Sequence, residues 1–282
     1  MNKRSRKEFF DEHGYFIEKN AFNTGDMESL FEVFYDLSWN VAIRNKIDLS
    51  KKILPTNKIQ YPRDLKQLDH LMLDIFNYNK DLLGEIYDTF SYSSAFMRFL
   101  GNEKVESMAK ELLGLPNYTT LYGWTNRVRI DPPRDERRTY GWHQEIFYTF
   151  PKTRFVQTWC PILRDTTIDN GTIEIKPYSH KEGIPKQTWT EEEGKAPQII
   201  IDKSILDKYK TVQLEMKVGD LLFFNGHLAH QSGNNSTKDE IRFSLVGMWN
   251  DTSYRTFRPP RPNFQSRIIS AKQHFKNIFE DS

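Results

Sequence analysis

Cysteine is almost missing from this 282-residue sequence. The single thiol, Cys160, excludes an intrachain disulfide and any cysteine-rich metal cluster, and makes a reducing, cytoplasmic setting the expectation. Long apolar runs are missing too: none approaches the ~18 residues of a membrane-spanning helix. Met1 to Phe10 is basic but no apolar stretch follows it, so no secretory leader is read there. An excess of one charge is also lacking. The 40 Lys and Arg against 38 Asp and Glu leave a net +2, so bulk charge gives no reason to expect nucleic acid as a partner. No repeat of fixed period and no low-complexity linker breaks the chain, and residues 1–282 read as one domain.

Aromatic residues are plentiful. Twenty Phe, 13 Tyr and 6 Trp supply enough buried area for a sizeable core and argue against disorder. Residues 1–118 read as mainly helical. Met27, Leu30, Phe31, Phe34 and Leu37 recur at helical spacing, as do Leu68, Leu71, Met72 and Ile75. Asn102 is a candidate N-cap for a stripe of Val105, Met108, Ala109, Leu112 and Leu113, which Gly114 and Pro116 stop. From about Thr119 the texture changes to strands. Thr211 to Val218 alternates apolar and polar residues, as a half-buried strand does, Gly219-Asp220 reads as a turn, and Leu221 to Asn225 as a short buried strand. The polar stretch Ser232 to Asp239 precedes a strand from Arg242 to Trp249. Helices first and antiparallel strands later imply an α+β domain with a sandwich or barrel core over 119–250. Residues 251–282 read as an extended or helical tail, wrapped on the surface from Tyr254 onward.

One segment carries chemistry: Gly141-Trp142-His143-Gln144-Glu145. If it is extended, His143 and Glu145 project to the same face and can take adjacent corners of one metal ion. A third ligand has to come from a distant strand, and Phe223 to His230 offers His227 and His230. Two histidines and one carboxylate on one face of an octahedral ion are the facial triad of non-haem Fe(II) oxygenases. His-x-Glu alone is a weak signal, equally readable as a surface pair. Arg242, twelve residues beyond His230 and between Ile241 and Phe243, adds weight, because a planar guanidinium there can pair with a carboxylate. Strand parity leaves the choice between His227 and His230 open.

The stretch from about Tyr140 to Trp249 resembles the phytanoyl-CoA dioxygenase-like family of Fe(II)/2-oxoglutarate oxygenases. Trp142-His143-Gln144-Glu145 looks like that family's first metal motif, with Glu145 where Asp is usual. Trp159-Cys160-Pro161-Ile162-Leu163 through Asp169-Asn170-Gly171 to Pro177-Tyr178-Ser179-His180 is similar to its following strand and turn. Gly219-Asp220-Leu221-Leu222-Phe223-Phe224 and His230-Gln231-Ser232 look like its later elements, and Arg242 matches its co-substrate arginine. Tyr178 replaces a turn glycine of the family pattern, and a tyrosine tolerates a left-handed turn poorly, so a differently shaped turn is expected there.

The resemblance implies a double-stranded β-helix, the jelly-roll or cupin-like core, with the helical N-terminal region packed on it. It selects His143, Glu145 and His230 as ligands of Fe(II), leaving His227 a supporting or core residue. It implies 2-oxoglutarate and O2 as co-substrates, with Arg242 and Ser232 on the far carboxylate, and oxidation of a small-molecule C–H with release of succinate and CO2. Trp159 corresponds to a position beside the co-substrate. Arg127 and Arg129 alternate on one strand face and are candidates for 2-oxoglutarate or for an anionic substrate. Trp142, Gln144 and Tyr148 flank the metal motif as candidate substrate contacts, although aromatic residues on strands more often build a core. Arg134, Arg137 and Arg138 lie in a loop that reads as a lid or as a solvated charged turn. The competing readings are a cupin-like metal enzyme without 2-oxoglutarate and a non-catalytic binding protein on the same fold. Arg242 argues against the first, having no evident task without a dicarboxylate, and the complete triad argues against the second.

Overall fold

A computed structural model describes residues 5–48, 59–147, 153–193 and 197–258. The chain opens with helix α1 (Arg6–His13), started by a capping box between Ser5 and Glu8 and closed by Gly14 in the left-handed region. Strand β1 (Tyr15–Glu18) follows, then helices α2 (Thr24–Arg44), α3 (Leu65–Tyr78), α4 (Leu82–Phe90), α5 (Ser94–Leu100) and α6 (Glu103–Leu113). The expected stripes are the buried faces of α2, α3 and α6, with Leu37 only partly covered. Asn102 caps α6 by accepting the Lys104 N–H, and Gly114 ends it at φ 65°.

Strands β2 (Leu121–Asp131), β3 (Phe155–Pro161), β8 (Leu221–Asn225) and β10 (Arg242–Asp251) join β1 in a five-stranded sheet of order β1-β8-β3-β10-β2. Strands β4 (Ile173–Ile175), β7 (Val212–Gln213) and β9 (His230–Ser232) form a second sheet of order β7-β4-β9. A hairpin, β5 (Gln187–Thr190) with β6 (Gln198–Ile201), stands apart from both. Every pairing within the sheets is antiparallel, and among the described residues the sheets do not close. The architecture is the expected α+β jelly roll.

Strand parity sorts the large sheet into two faces. Val156, Cys160, Leu221, Phe223, Phe243 and Leu245 pack on the helices in the main apolar cluster. Their neighbours Trp159, Leu222 and Phe224 turn the other way and meet Ile173, Ile175, Leu214 and Met216 of the second sheet. With both faces covered, β3 is buried along its whole length and β8 reads as a nearly continuous apolar run rather than an alternating one.

Three local expectations need correction. Tyr15–Glu18, inside the region read as helical, is a strand that pairs with β8. Thr211 to Val218 keeps its alternating burial, but only Val212–Gln213 joins a ladder and Met216 bridges to Thr166. Tyr178 does take the left-handed conformation, at φ 70°. Its N–H bonds the His13 carbonyl, its ring packs on His13, and Lys181 lies over it, contacts that offset the strain. The tail reading from Tyr254 lies outside the described residues beyond 258.

Candidate metal centre and cavity

His143 is not in a continuous strand. It forms an isolated bridge to His230 at the start of β9, each backbone N–H bonding the other's carbonyl at 3.0 and 3.1 Å. Glu145 begins a short 3-10 turn, Glu145–Phe147. The two side chains therefore meet through a turn, not through the pleat expected from sequence. The bridge brings the rings of His143 and His230 to 4.2 Å between centroids. One oxygen of Glu145 lies 3.7 Å from His143 Nε2 and 3.6 Å from His230 Nε2. These separations are too long for hydrogen bonds. They suit three donors around one cation, since adjacent ligands ~2.1 Å from a metal lie about 3 Å apart. Among the described residues this is the group of three whose ligand atoms all fall within 4.8 Å of one another.

The tautomers fit as well. His143 Nδ1 faces the Gly141 carbonyl at 2.7 Å, and His230 Nδ1 faces the Leu228 carbonyl at 2.9 Å. A carbonyl only accepts, so each Nδ1 carries the proton and each Nε2 keeps its lone pair for the centre. Burial lowers the His230 pKa and favours the neutral, ligating form. Burial opposes the charge on Glu145, but the facing imidazoles, when protonated, more than reverse it and hold the carboxyl below its usual range, a role that a cation takes over once both rings ligate as neutral groups. Gln157 of β3 donates from Nε2 to the same Glu145 oxygen at 3.1 Å. The donor set, its protonation and its convergence all fit a divalent metal.

The centre opens into a cavity of about 470 Å³. Apolar walls come from Trp159, Phe224, Ile173, Val246 and Met248, and polar ones from Arg127, Arg129, Asp131, Tyr140, Gln157 and Ser232. Gly84, Tyr87 and Asp88 of α4 also face it. His227 lies outside this lining; its backbone N–H bonds Asn225 and its carbonyl accepts from Gln144.

Arg242 is buried but does not line the cavity. Its Nη2 and Nε bond Asp131 at 2.8 and 3.2 Å, and its Nη1 bonds the Gly233 carbonyl. The view that Arg242 has no task without a dicarboxylate is thus wrong, because Asp131, its cross-strand partner on β2, occupies it. Gly171 makes room for this arrangement: a Cβ there would sit 2.8 Å from Arg242 Nη1. Arg129 binds the other oxygen of Asp131 at 2.9 Å, stacks over Tyr140 and does face the cavity. Burial raises Asp131, and the two guanidiniums overturn that and keep it ionised. Two guanidiniums thus share one carboxylate, and of the three groups Arg129 and Asp131 face the cavity, which Ser232 also lines.

The remaining expected site residues divide clearly. Trp159 and Arg127 line the cavity. Trp142 does not: it packs with Ile201, Leu206 and Ala229, under the Lys176 ammonium. Nor does Gln144, whose amide bonds the Gly183 and His227 carbonyls and accepts from Gln187. Tyr148 lies outside the described residues. The arginine loop is tethered: Arg134 N–H bonds the Asn235 carbonyl, and Arg137 holds Asp135 and lies over Phe76. Asp131, Tyr140 and Gln157 escaped the sequence reading. Parity marks Asp131, two residues beyond Arg129 on the face already singled out. Gln157 is the amide in an otherwise buried strand, two residues before Trp159.

The sequence matches the phytanoyl-CoA dioxygenase (PhyH) family over residues 10–244, and the chain belongs to that family. Solved structures share the fold at low identity. The epimerase SnoN, in complex with Fe3+, alpha ketoglutarate and nogalamycin RO, is 17% identical with a TM-score of 0.56 over 90% of this chain and 88% of its own. EctD from S. alaskensis, with 2-oxoglutarate and 5-hydroxyectoine, is 17% identical with a TM-score of 0.55 over 90% and 80%. EvdO2 from Micromonospora carbonacea var. aurantiaca, complexed with 2-oxoglutarate, is 17% identical with a TM-score of 0.51 over 91% and 94%. No helix among the described residues is long and apolar enough to cross a membrane.

Proposed function

We propose that this protein is an Fe(II)- and 2-oxoglutarate-dependent oxygenase that hydroxylates a small-molecule metabolite, releasing succinate and CO2. The observation that carries the reading is the convergence of His143, Glu145 and His230 on one point of a cavity whose wall carries Arg129 paired with Asp131, with Arg242 behind it on the same carboxylate. Family membership and solved relatives that hold iron or 2-oxoglutarate support it.

His143, Glu145 and His230 would hold the metal. The bound iron with its co-substrate supplies the reduction of O2 and the removal of hydrogen from a C–H bond. The chain supplies placement. The carbonyls of Gly141 and Leu228 fix both imidazoles in the ligating tautomer. Arg129 and Ser232 face the cavity and are assigned to the far carboxylate of 2-oxoglutarate. Arg242 is assigned to Asp131, whose position it sets. Trp159, Phe224 and Met248 keep the reacting centre dry. The exposed Arg127 is assigned to an anionic part of the substrate. Co-substrate and substrate share about 470 Å³, room for the reacting part of a small molecule beside 2-oxoglutarate.

The test is succinate release from 2-oxoglutarate with added Fe(II) in air. Turnover that disappears in His143→Ala, and a product heavier by one oxygen atom, are the expected results. A wild-type protein that binds neither Fe(II) nor 2-oxoglutarate would overturn the reading. Metal binding with no effect of 2-oxoglutarate would instead favour a cupin-like enzyme without that co-substrate. A product isomeric with the substrate would replace hydroxylation by another outcome of the same centre.

A further inference from the structure

Gln157 stands on β3 between Val156 and Thr158, buried, with its side chain on the cavity face of the sheet. Its amide orientation is not arbitrary. A carboxylate oxygen only accepts, so the group 3.1 Å from Glu145 is the NH2 and the amide oxygen points elsewhere. That oxygen is buried and has no hydrogen-bond partner among the described residues. A buried orphan acceptor is costly, and a methionine would fill this space without it. The amide is therefore kept for the one bond its nitrogen makes.

Glu145 needs such a bond. It sits on a 3-10 turn, not on a strand that would fix its direction, and its long side chain has several rotamers to choose among. The oxygen that Gln157 holds is the one facing both imidazoles. We infer that Gln157 is a positioning residue of the metal centre, matched to the length of Glu145: its amide nitrogen aims the carboxylate oxygen at the point shared by His143 and His230. This rests on the reading of the triad as a metal site and goes beyond it by naming what aligns the acidic ligand.

The experiment is a double-substitution cycle read by metal binding, with no substrate needed. Co(II) affinity and the Co(II) absorption envelope are measured for wild type, Gln157→Met, Glu145→Asp and the double variant, with the melting temperature of each metal-free protein as the check on folding. Gln157→Met is expected to weaken Co(II) binding about 10- to 100-fold and to shift the absorption envelope. In Glu145→Asp the shorter carboxylate withdraws from Gln157, so adding Gln157→Met should then weaken binding by less than about threefold. An equal loss in both backgrounds, or no loss in wild type, overturns the inference while leaving the metal centre standing. Where Glu145→Asp binds too weakly to close the cycle, the envelope of Gln157→Met decides alone, and an unchanged envelope overturns it. A wild-type protein that binds no metal overturns the metal centre and this inference together.

Discussion

The two faces of the five-stranded sheet are built from the same strands and do opposite work. Toward the helices, Val156, Cys160, Phe223, Phe243 and Leu245 pack against an aromatic cluster in which Phe34 stacks on Phe90 at 3.9 Å. Toward the second sheet, the residues one position along present Gln157, Trp159, Arg129, Asp131 and Ser244-flanking Arg242 and Val246. One face is dry and satisfied by packing. The other holds charges that need one another or a ligand. A strand's period of two is enough to separate stability from chemistry within a single element.

The sharpest way to break the comparison is to damage each face in turn. His230→Ala removes a ligand atom from the cavity face and is expected to abolish measurable Fe(II) or Co(II) binding, as titration would show, while metal-free folding persists. Phe243→Ala empties a fully buried site against Phe34 and is expected to cost about 3–5 kcal/mol in chemical denaturation. If the histidine variant unfolds and the phenylalanine variant does not, the division of labour is wrong.

Asp131→Asn tests the cavity face as a charged network. Arg242 and Arg129, mostly buried, would lose their shared counter-charge. The expected loss is about 3–5 kcal/mol, measured by denaturant unfolding, because uncompensated buried charge is what the substitution leaves behind. Loss below about 1 kcal/mol would mean that solvent already screens the pair.

How much of this was legible follows from sequence distance. Helix α6 and strand β8 were readable because their caps, stripe and turn are local: Asn102 and Gly114 for the one, Gly219 and Asp220 for the other. The metal ligands were readable because His143 and Glu145 are neighbours and His230 falls in a matching block. Arg242 and Asp131 are 111 residues apart, and their pairing depends on the β10–β2 register, which no local pattern announces. Strand β1 was hidden for a similar reason: Tyr15 to Glu18 are all half-buried, without alternation, and become a strand by pairing with β8. Trp142 and Gln144 flank a ligand in sequence, but side chains next to it along the chain point away from it, and these two meet the surrounding packing instead of the cavity.

Asp69 is the charged exception on the helix side, and it gives the next effect in size. Burial pushes its carboxyl up to about 6, against the pull of Arg164 and the Ile241 N–H, both of which it binds. The unfolded value is about 3.9, so the folded protein holds this proton more tightly. The contribution is complete below about pH 4 and is lost as pH rises through about 6. The expected loss is about 2–3 kcal/mol across that window. Comparing denaturant stability of wild type and Asp69→Asn at pH 4 and pH 7 isolates it: the slope should flatten in the variant. A steeper slope in the variant would place the charge cost elsewhere.

Cys160 gives the smallest and cleanest reading of the dry face. It is 2% exposed, and burial raises its thiol pKa to about 12. The thiolate is the reactive form, so at pH 8 the folded protein should resist iodoacetamide and react only when β3 separates from the helices. Labelling rates along a denaturant series then report the opening of that face alone. Cys160→Ala deletes one buried sulfur and should cost only about 1 kcal/mol, without altering Co(II) affinity. Rapid labelling of native protein would show that the helices do not seal this side of the sheet. A fall in metal affinity in Cys160→Ala would show that the two faces are coupled through the strand they share.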